Sequence, residues 1–451
     1  MAGIFKAYDI RGLYPDQINE TIARRIGLAF PSLLPRADRE RGGPVVVGRD
    51  MRSHSRPLQE ALIDGLRAGG LEVVDIGLCT TPMGYFAVGS LGAAGGVQVT
   101  ASHNPAAYNG MKLSLRDARP VSGDHGIPLL ESQVARGDLA PAARRGGYRA
   151  HEIMEAYSGH LLACLDRPAD ARRLRVVVDA ANGMGTIYRP LLEQAGIALI
   201  PLYFTLDGTF PNHEANPLKL ENLRDLSDAV RRSHADLGVA FDGDGDRAAF
   251  IDEHGYSVGS DLATALIAGE LLAGHPGAAV VYDLRSSRAV AEYIRERGGT
   301  PIRERVGHSF IKATLREHDG LFGGELAGHY YFRDNYTADC ALMAVFEMLN
   351  LLWRRPVPMS ALVAPLRRYA KSPEINFAVE DKEAKMAMLA ERFADGEIDH
   401  LDGITVSYPS WWFNVRPSNT EPYLRLVAEA DTQRLLDQRL EALIALLGEP
   451  R

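Results

Sequence analysis

The chain has 451 residues, of which 46% are hydrophobic and 24% charged, with a formal net charge of −8. That length accommodates about three or four domains with cores of their own, and the acidic balance, with no long Lys/Arg run, excludes a nucleic-acid footprint. The start, MAGIFKAYDIRG, lacks the apolar core of a signal peptide, no run approaches a membrane span, and Cys79, Cys164 and Cys340 make no disulfide framework, so a soluble cytoplasmic protein with no membrane partner is expected.

In chain order, the first predicted strand is the Val-rich PVVVGRD (44–50). A helix over 55–70 follows, its apolar residues returning every three or four positions until a glycine pair ends it. Residues 98–112, QVTASHNPAAYNGMK, are too polar and turn-rich for a core element. Ser102 there reads either as a turn residue or as a nucleophile, and adjacency alone does not make His103 its base. LRVVVDAANGMG (174–185) and AAVVYDLRSS (278–287) repeat the rhythm of apolar run, turn and helix. Continuous apolar runs suit strands buried on both faces, so the expected class is α/β, with three similar mixed α/β sheet domains.

Between the last two runs lies ADLGVAFDGDGDRAAFIDEHG (235–255), where apolar flanks place Asp242, Asp244 and Asp246 on a strand-to-strand connection. Three carboxylates at alternate positions repel one another unless a cation sits among them. Gly243 and Gly245 let the backbone bend so that they converge. Hard oxygen donors point to Mg²⁺ or Ca²⁺ and away from zinc. A calcium-binding helix-loop-helix also begins D-x-D-x-D, but its sixth position needs glycine and here holds Arg247, and the flanks read as strands. A solvated acidic turn needs only one Asp-Gly pair. Because Mg²⁺ completes its shell with water and phosphate, the loop predicts a phosphate nearby, and Ser102 is where one could be carried.

Further on, ERVGHSFIK (304–312) presents His308 after a glycine, and GGELAGHYY (323–331) spaces Glu325 and His329 by small residues, as two groups facing a cleft would be. The stretch 405–430 reads as strand, polar loop, strand, and 432–447 as an amphipathic helix on Leu435, Leu436, Leu440, Leu443 and Leu446, together a C-terminal α+β domain. In its loop Arg416, Ser418, Asn419 and Thr420 supply a guanidinium fork, two hydroxyls and an amide, a donor set matched to phosphate oxygens; read alone, it is equally a polar hairpin turn around Pro417.

Four of these stretches, TASHNP around Ser102, DGDGD at 242–246, GELAGH at 324–329 and RPSNTEP at 416–422, stand in the order and spacing of the α-D-phosphohexomutases, and the likeness extends to AYDIRG (7–12) and YNGMK (108–112). The sequence most resembles the phosphomannomutase/phosphoglucomutase branch, since N-acetylglucosamine-phosphate mutases carry glycine where Asn419 stands. The resemblance implies four domains around a central cleft: a phosphoserine domain over 1–148, a metal-binding domain over 149–253, a sugar-binding domain over 254–366 and a phosphate-binding domain over 367–451. It implies phosphate on Ser102, Mg²⁺ held by Asp242, Asp244 and Asp246 with that phosphate, and Arg247 beside it. Glu325 would hold sugar hydroxyls, the 416–420 loop would grip the unreacting phosphate, and Tyr8, Arg11, Lys112, His308 and His329 would line the cleft. Lys112, His329 and Arg11 are the implied candidates for proton transfer. Two positions depart from the pattern: Ala327 stands where this branch has serine, and Arg285 where it often has lysine.

The implied reaction moves phosphate between O1 and O6 of mannose or glucose phosphate through a hexose 1,6-bisphosphate, which also serves as activator. An N-acetylglucosamine or glucosamine phosphate mutase, a phosphatase and a non-catalytic sugar-phosphate-binding homologue are the alternatives. A monomer is expected over an oligomer, with small sugar phosphates as the only partners.

Overall fold

The structure, a computed structural model, describes residues 3–123, 126–418 and 422–451. Four sheets follow one another along the chain. In the first, the Val-rich strand Val45–Arg49 lies between Val73–Leu78 and Gly95–Val99, parallel to both, which is why Val45, Val46 and Val47 are all buried. Tyr108–Leu115 then runs back antiparallel to Gly95–Val99 and pairs with Ile10–Leu13. The reversal between those two strands is the turn that carries Ser102.

The second sheet repeats the plan, with Leu237–Phe241 parallel to Arg175–Asp179 and antiparallel to Ala248–Ile251. In the third, Ala279–Asp283 is parallel to Thr300–Glu304 and Phe322–Gly324, and Tyr330–Phe332 and Ala338–Asp339 are added antiparallel. Each of these sheets is mixed, with its reversal where a short loop must deliver polar side chains. The first sheet takes in Tyr148–Ala150 and the second Ser257–Val258, each just past the domain edge expected from sequence.

The C-terminal sheet is antiparallel, and the helix Gln433–Leu447 covers it with Leu436, Leu443 and Leu447. Where one strand was expected before its polar loop there are two, Ile404–Tyr408 and Trp411–Pro417. The apolar pattern runs through the turn at Pro409 and Ser410 almost unbroken, which hid it.

Packing divides the molecule differently from the sheets. One apolar cluster runs from Val46 and Val74 of the first sheet through Val176, Val178 and Leu237 to Val280, Phe322 and the helix Ala341–Arg354. A second fills the other face of the first sheet, and the C-terminal unit keeps its own. No helix among the described residues is long and apolar enough to cross a membrane.

Candidate active site

Ser102 is fully buried and sits at φ 51°, a left-handed conformation that costs a non-glycine residue energy and that clusters at functional sites. Its loop is held there by Arg52, whose guanidinium donates to the carbonyls of Ser102 (2.9 Å), Asn104 (2.6 Å), Pro105 (2.8 Å) and Tyr108 (3.1 Å) while Asp50 pairs with its Nε. The acidic loop arrives from the second sheet. Ser102 Oγ donates to Asp242 Oδ2 at 2.8 Å. Gly243 permits the approach: a Cβ there would stand 2.3 Å from the Ser102 carbonyl oxygen.

Asp242, Asp244 and Asp246 are all buried, and their oxygens converge closely enough to share one ion. Asp242 Oδ1 is cradled by the N–H groups of Gly245, Asp246 and Arg247 at 3.1, 3.1 and 3.2 Å. Thr81 Oγ1 donates to Asp244 Oδ2 at 2.5 Å, and Lys112 Nζ reaches the same oxygen at 2.7 Å and also Asp246 Oδ2. Burial, reinforced by Asp246 and Asp244, pushes the Asp242 carboxyl well above the usual range, as carboxylates packed together with too little positive charge among them must be. Asp244 Oδ1 and Asp246 Oδ1 are buried with no hydrogen-bond partner among the described residues. Orphaned hard oxygens beside a frustrated carboxyl fit a small divalent cation.

Around this centre lie the expected cations. Burial alone would lower the Lys112 ammonium, but Asp244 and Asp246 reverse this and hold it well above its usual value, so it stays charged. Arg247 Nε stands 3.8 Å from Asp242 Oδ2, the oxygen that accepts from Ser102, and donates to His329 Nε2 at 2.9 Å. Backbone pairing of Arg247 with His329 sews the second sheet's loop to the third's. Arg11 donates to Asp9 at 2.7 Å and to Asn104 in the Ser102 loop at 2.7 Å. His103, whose neighbourhood in sequence meant nothing by itself, puts Nδ1 3.1 Å from Ser102 Oγ. Burial, with Arg247 and Arg11 close by, presses its ring well below histidine's usual value.

The third and fourth units close the other side. Glu325 is buried, with Oε1 accepting from Gly307 N at 3.1 Å and Oε2 from the Tyr331 hydroxyl at 2.7 Å, which fixes the carboxylate and leaves each oxygen a second lone pair. Tyr8 packs edge-on against His308 with ring centroids 5.4 Å apart, bringing the first and third units together; burial, then Glu325, pushes its hydroxyl up to about 12. Arg285 is committed to Asp283 and also reaches Glu374 at 3.1 Å. Glu374 takes Arg416 at 3.1 Å and Arg425 at 2.9 Å as well, so one carboxylate gathers three guanidinium groups. Ser418 N donates to the Tyr423 carbonyl at 2.9 Å, while Asn419 and Thr420 lie outside the described residues.

Sequence reasoning missed Arg52, Thr81, Glu374 and the buried pair Lys312 and Asp339. None belongs to the four motifs; Arg52, Thr81, Glu374 and Asp339 each touch a motif residue from elsewhere in the chain, and Lys312, at the end of the stretch 304–312, acts through Asp339.

Comparison with known proteins gives four consecutive matches to Phosphoglucomutase/phosphomannomutase family models: alpha/beta/alpha domain I over residues 2–140, domain II over 155–255, domain III over 259–369 and the C-terminal domain over 374–446. A protein of Xanthomonas campestris described as phosphohexose mutases is 40% identical over 98% of each chain. A phosphomannomutase of Escherichia coli is 38% identical, again over 98% of each. A crystal structure of a phosphoglucomutase/phosphomannomutase family protein from Burkholderia thailandensis superposes with a TM-score of 0.89 at 36% identity, covering 99% of this chain and 98% of that one.

Proposed function

This chain belongs to the phosphoglucomutase/phosphomannomutase family and is a phosphohexomutase, and from that premise we propose that it moves phosphate between O1 and O6 of mannose or glucose phosphate with Ser102 as the phosphate carrier. The observation that carries this reading is the 2.8 Å contact between Ser102 Oγ and Asp242, two residues 140 positions apart on different sheets. Asp242, Asp244 and Asp246 are the residues that would hold Mg²⁺, which when bound neutralises charge on the phosphoryl oxygens.

The chain's own groups then divide the work. Phosphate on Ser102 is attacked by the free hydroxyl of a bound hexose monophosphate: the bond from phosphorus to the serine oxygen breaks as that to the sugar oxygen forms, giving a 1,6-bisphosphate. After the sugar turns end for end, Ser102 takes the other phosphate back. Its hydroxyl proton has two acceptors within reach, Asp242 Oδ2 and His103 Nδ1. Lys112 and Arg247 offset the charge that builds as phosphate passes. Of the three implied candidates for proton traffic on the sugar side, Lys112 is the group free to exchange one, while Arg11 keeps its proton and acts by charge and His329 has its Nε2 taken by Arg247. Both orientations of the sugar present a phosphate to the same far wall, which favours recognition by Arg285, Arg416 and Ser418, with Asn419 and Thr420 completing that loop, and by Tyr8, His308 and Glu325 around the ring. The bisphosphate primes Ser102.

A coupled assay of mannose, glucose and N-acetylglucosamine 1-phosphates, each with Mg²⁺ and a trace of hexose 1,6-bisphosphate, tests the reading. Formation of the 6-phosphates supports it. Release of inorganic phosphate as the sole product, turnover confined to N-acetylglucosamine 1-phosphate, or no product from any of the three overturns it.

A further inference from the structure

Behind His329 lies a pair of charges that the proposed reaction does not use. Lys312, on the helix His308–Glu317, is fully buried, and its Nζ stands 2.5 Å from Asp339 Oδ1 and 4.1 Å from the centre of the Tyr85 ring. The other oxygen, Asp339 Oδ2, faces His329 Nδ1 at 3.2 Å, nearer than Asp246 Oδ1 at 3.8 Å. Neither contact of Asp339 meets hydrogen-bond angles, yet Lys312 Nζ, Asp339 Oδ1 and His329 Nδ1 have no hydrogen-bond partner elsewhere among the described residues. On its far side His329 Nε2 accepts from Arg247 Nε at 2.9 Å.

An arginine keeps its proton, so the bond from Arg247 requires a lone pair on His329 Nε2, and a neutral ring must then carry its hydrogen on Nδ1. Only an acceptor can face that nitrogen. Asp339 can be that acceptor because its second oxygen is engaged by Lys312. An aspartate serves two donors, one per oxygen; an amide in its place has a single oxygen to give.

We propose that Asp339, anchored by Lys312, is a positioning residue: it fixes the tautomer of His329 that accepts from Arg247, and so aims the Arg247 guanidinium at Asp242 and Ser102. The effect on turnover rests on the function proposed above; the tautomer does not.

The first test is the long-range ¹H–¹⁵N spectrum of the histidine-labelled protein, with His329 assigned by its loss in His329→Gln. Hydrogen on Nδ1 is expected, and hydrogen on Nε2 in the otherwise unaltered protein overturns the proposal before any Asp339 variant is made. In Asp339→Asn, Lys312 claims the one oxygen and the amide NH₂ turns to His329, which drives its hydrogen to Nε2, against Arg247. There kcat should fall about 10- to 100-fold, the range for groups that orient a reacting residue, with KM within about threefold. Asp339→Asn/Lys312→Met frees the amide oxygen to face His329, so it should recover the Nδ1 hydrogen and most of kcat, and it guards against a single variant that fails to fold around an unpaired ammonium. A folded Asp339→Asn protein with unchanged kcat, or a fall in kcat without the tautomer change, overturns the proposal. Absence of mutase activity in the unaltered protein would strike at the function and leave the tautomer measurement standing.

Discussion

At the scale of single residues, the site depends on how closely two loops approach. Ser102 reaches Asp242 because residue 243 has no side chain, and the Ser102 carbonyl fills the space a Cβ would take. The Ser102 backbone cannot easily give way, because Arg52 fastens its loop through four carbonyls. Gly243→Ala should therefore part the loops by a fraction of an ångström to an ångström. Misplacement on that scale costs about 100-fold in rate. Steady-state kinetics together with a thermal melt would check this: kcat should collapse while the melt remains cooperative, and a variant with native kcat would mean that the approach is not required. At this scale the sequence was most informative about residues whose chemistry is carried by type and spacing, such as the three aspartates. It was silent about Arg52 and Lys312, whose roles come from folding distant segments together.

At the scale of elements, the buried helix Ala341–Arg354 joins the second and third units, and its one acidic residue is misplaced by ordinary rules. Burial pushes the Glu347 carboxyl up to about 7, with nearby Glu270 adding to the effect and the Asn350 amide opposing it. In the folded chain it is thus largely neutral at pH 6, whereas in the unfolded chain it ionises from about pH 4.5 upward. The unfolded state then binds fewer protons, so stability present below pH 4.5 is lost as pH rises to about 7, in total about 3 kcal/mol. Glu347→Gln should abolish that loss. Melting temperatures from pH 4.5 to 8 would show the variant gaining on the parent as pH rises, and a constant difference would contradict the assignment. Elements were legible where periodicity was clean: strands stand at the apolar runs that open 44–50, 174–185 and 278–287, and helices at 55–70 and 432–447, within a residue or two. The turn at Pro409 and Ser410 was not, because its neighbours are apolar on both sides and a two-residue reversal leaves almost no gap in the pattern.

For the whole molecule, three sheets share a continuous core, while the C-terminal sheet has a separate one and meets the rest through charged contacts. Arg288 reaches Glu429 and Asp431, Lys371 reaches Asp261, and Glu374 gathers Arg285, Arg416 and Arg425 across the junction. Several of these groups, Glu429, Asp261, Arg285 and Arg416 among them, are buried, so the junction is held by paired charges in place of a shared apolar core. Arg416→Ala should raise KM in both directions of the reaction. Loss of a charged hydrogen bond of about 1.5–3 kcal/mol corresponds to roughly 10- to 100-fold. A change in one direction only, in forward and reverse assays, would remove Arg416 from the shared phosphate wall. The motifs announced that four loops serve one site; that they meet through buried polar contacts such as Ser102 with Asp242 and Arg247 with His329 was visible only in three dimensions, since pairing across 140 or 82 positions leaves no local pattern.

The most direct measurement is the fate of phosphate on Ser102. Protein treated with hexose 1,6-bisphosphate labelled in its phosphates, then digested and analysed by mass spectrometry, should carry about one phosphate per chain on the peptide containing Ser102, and unlabelled hexose monophosphate should chase it into sugar phosphate at a rate matching kcat. Label on another residue, label that does not chase, or undiminished turnover by Ser102→Ala would contradict the account.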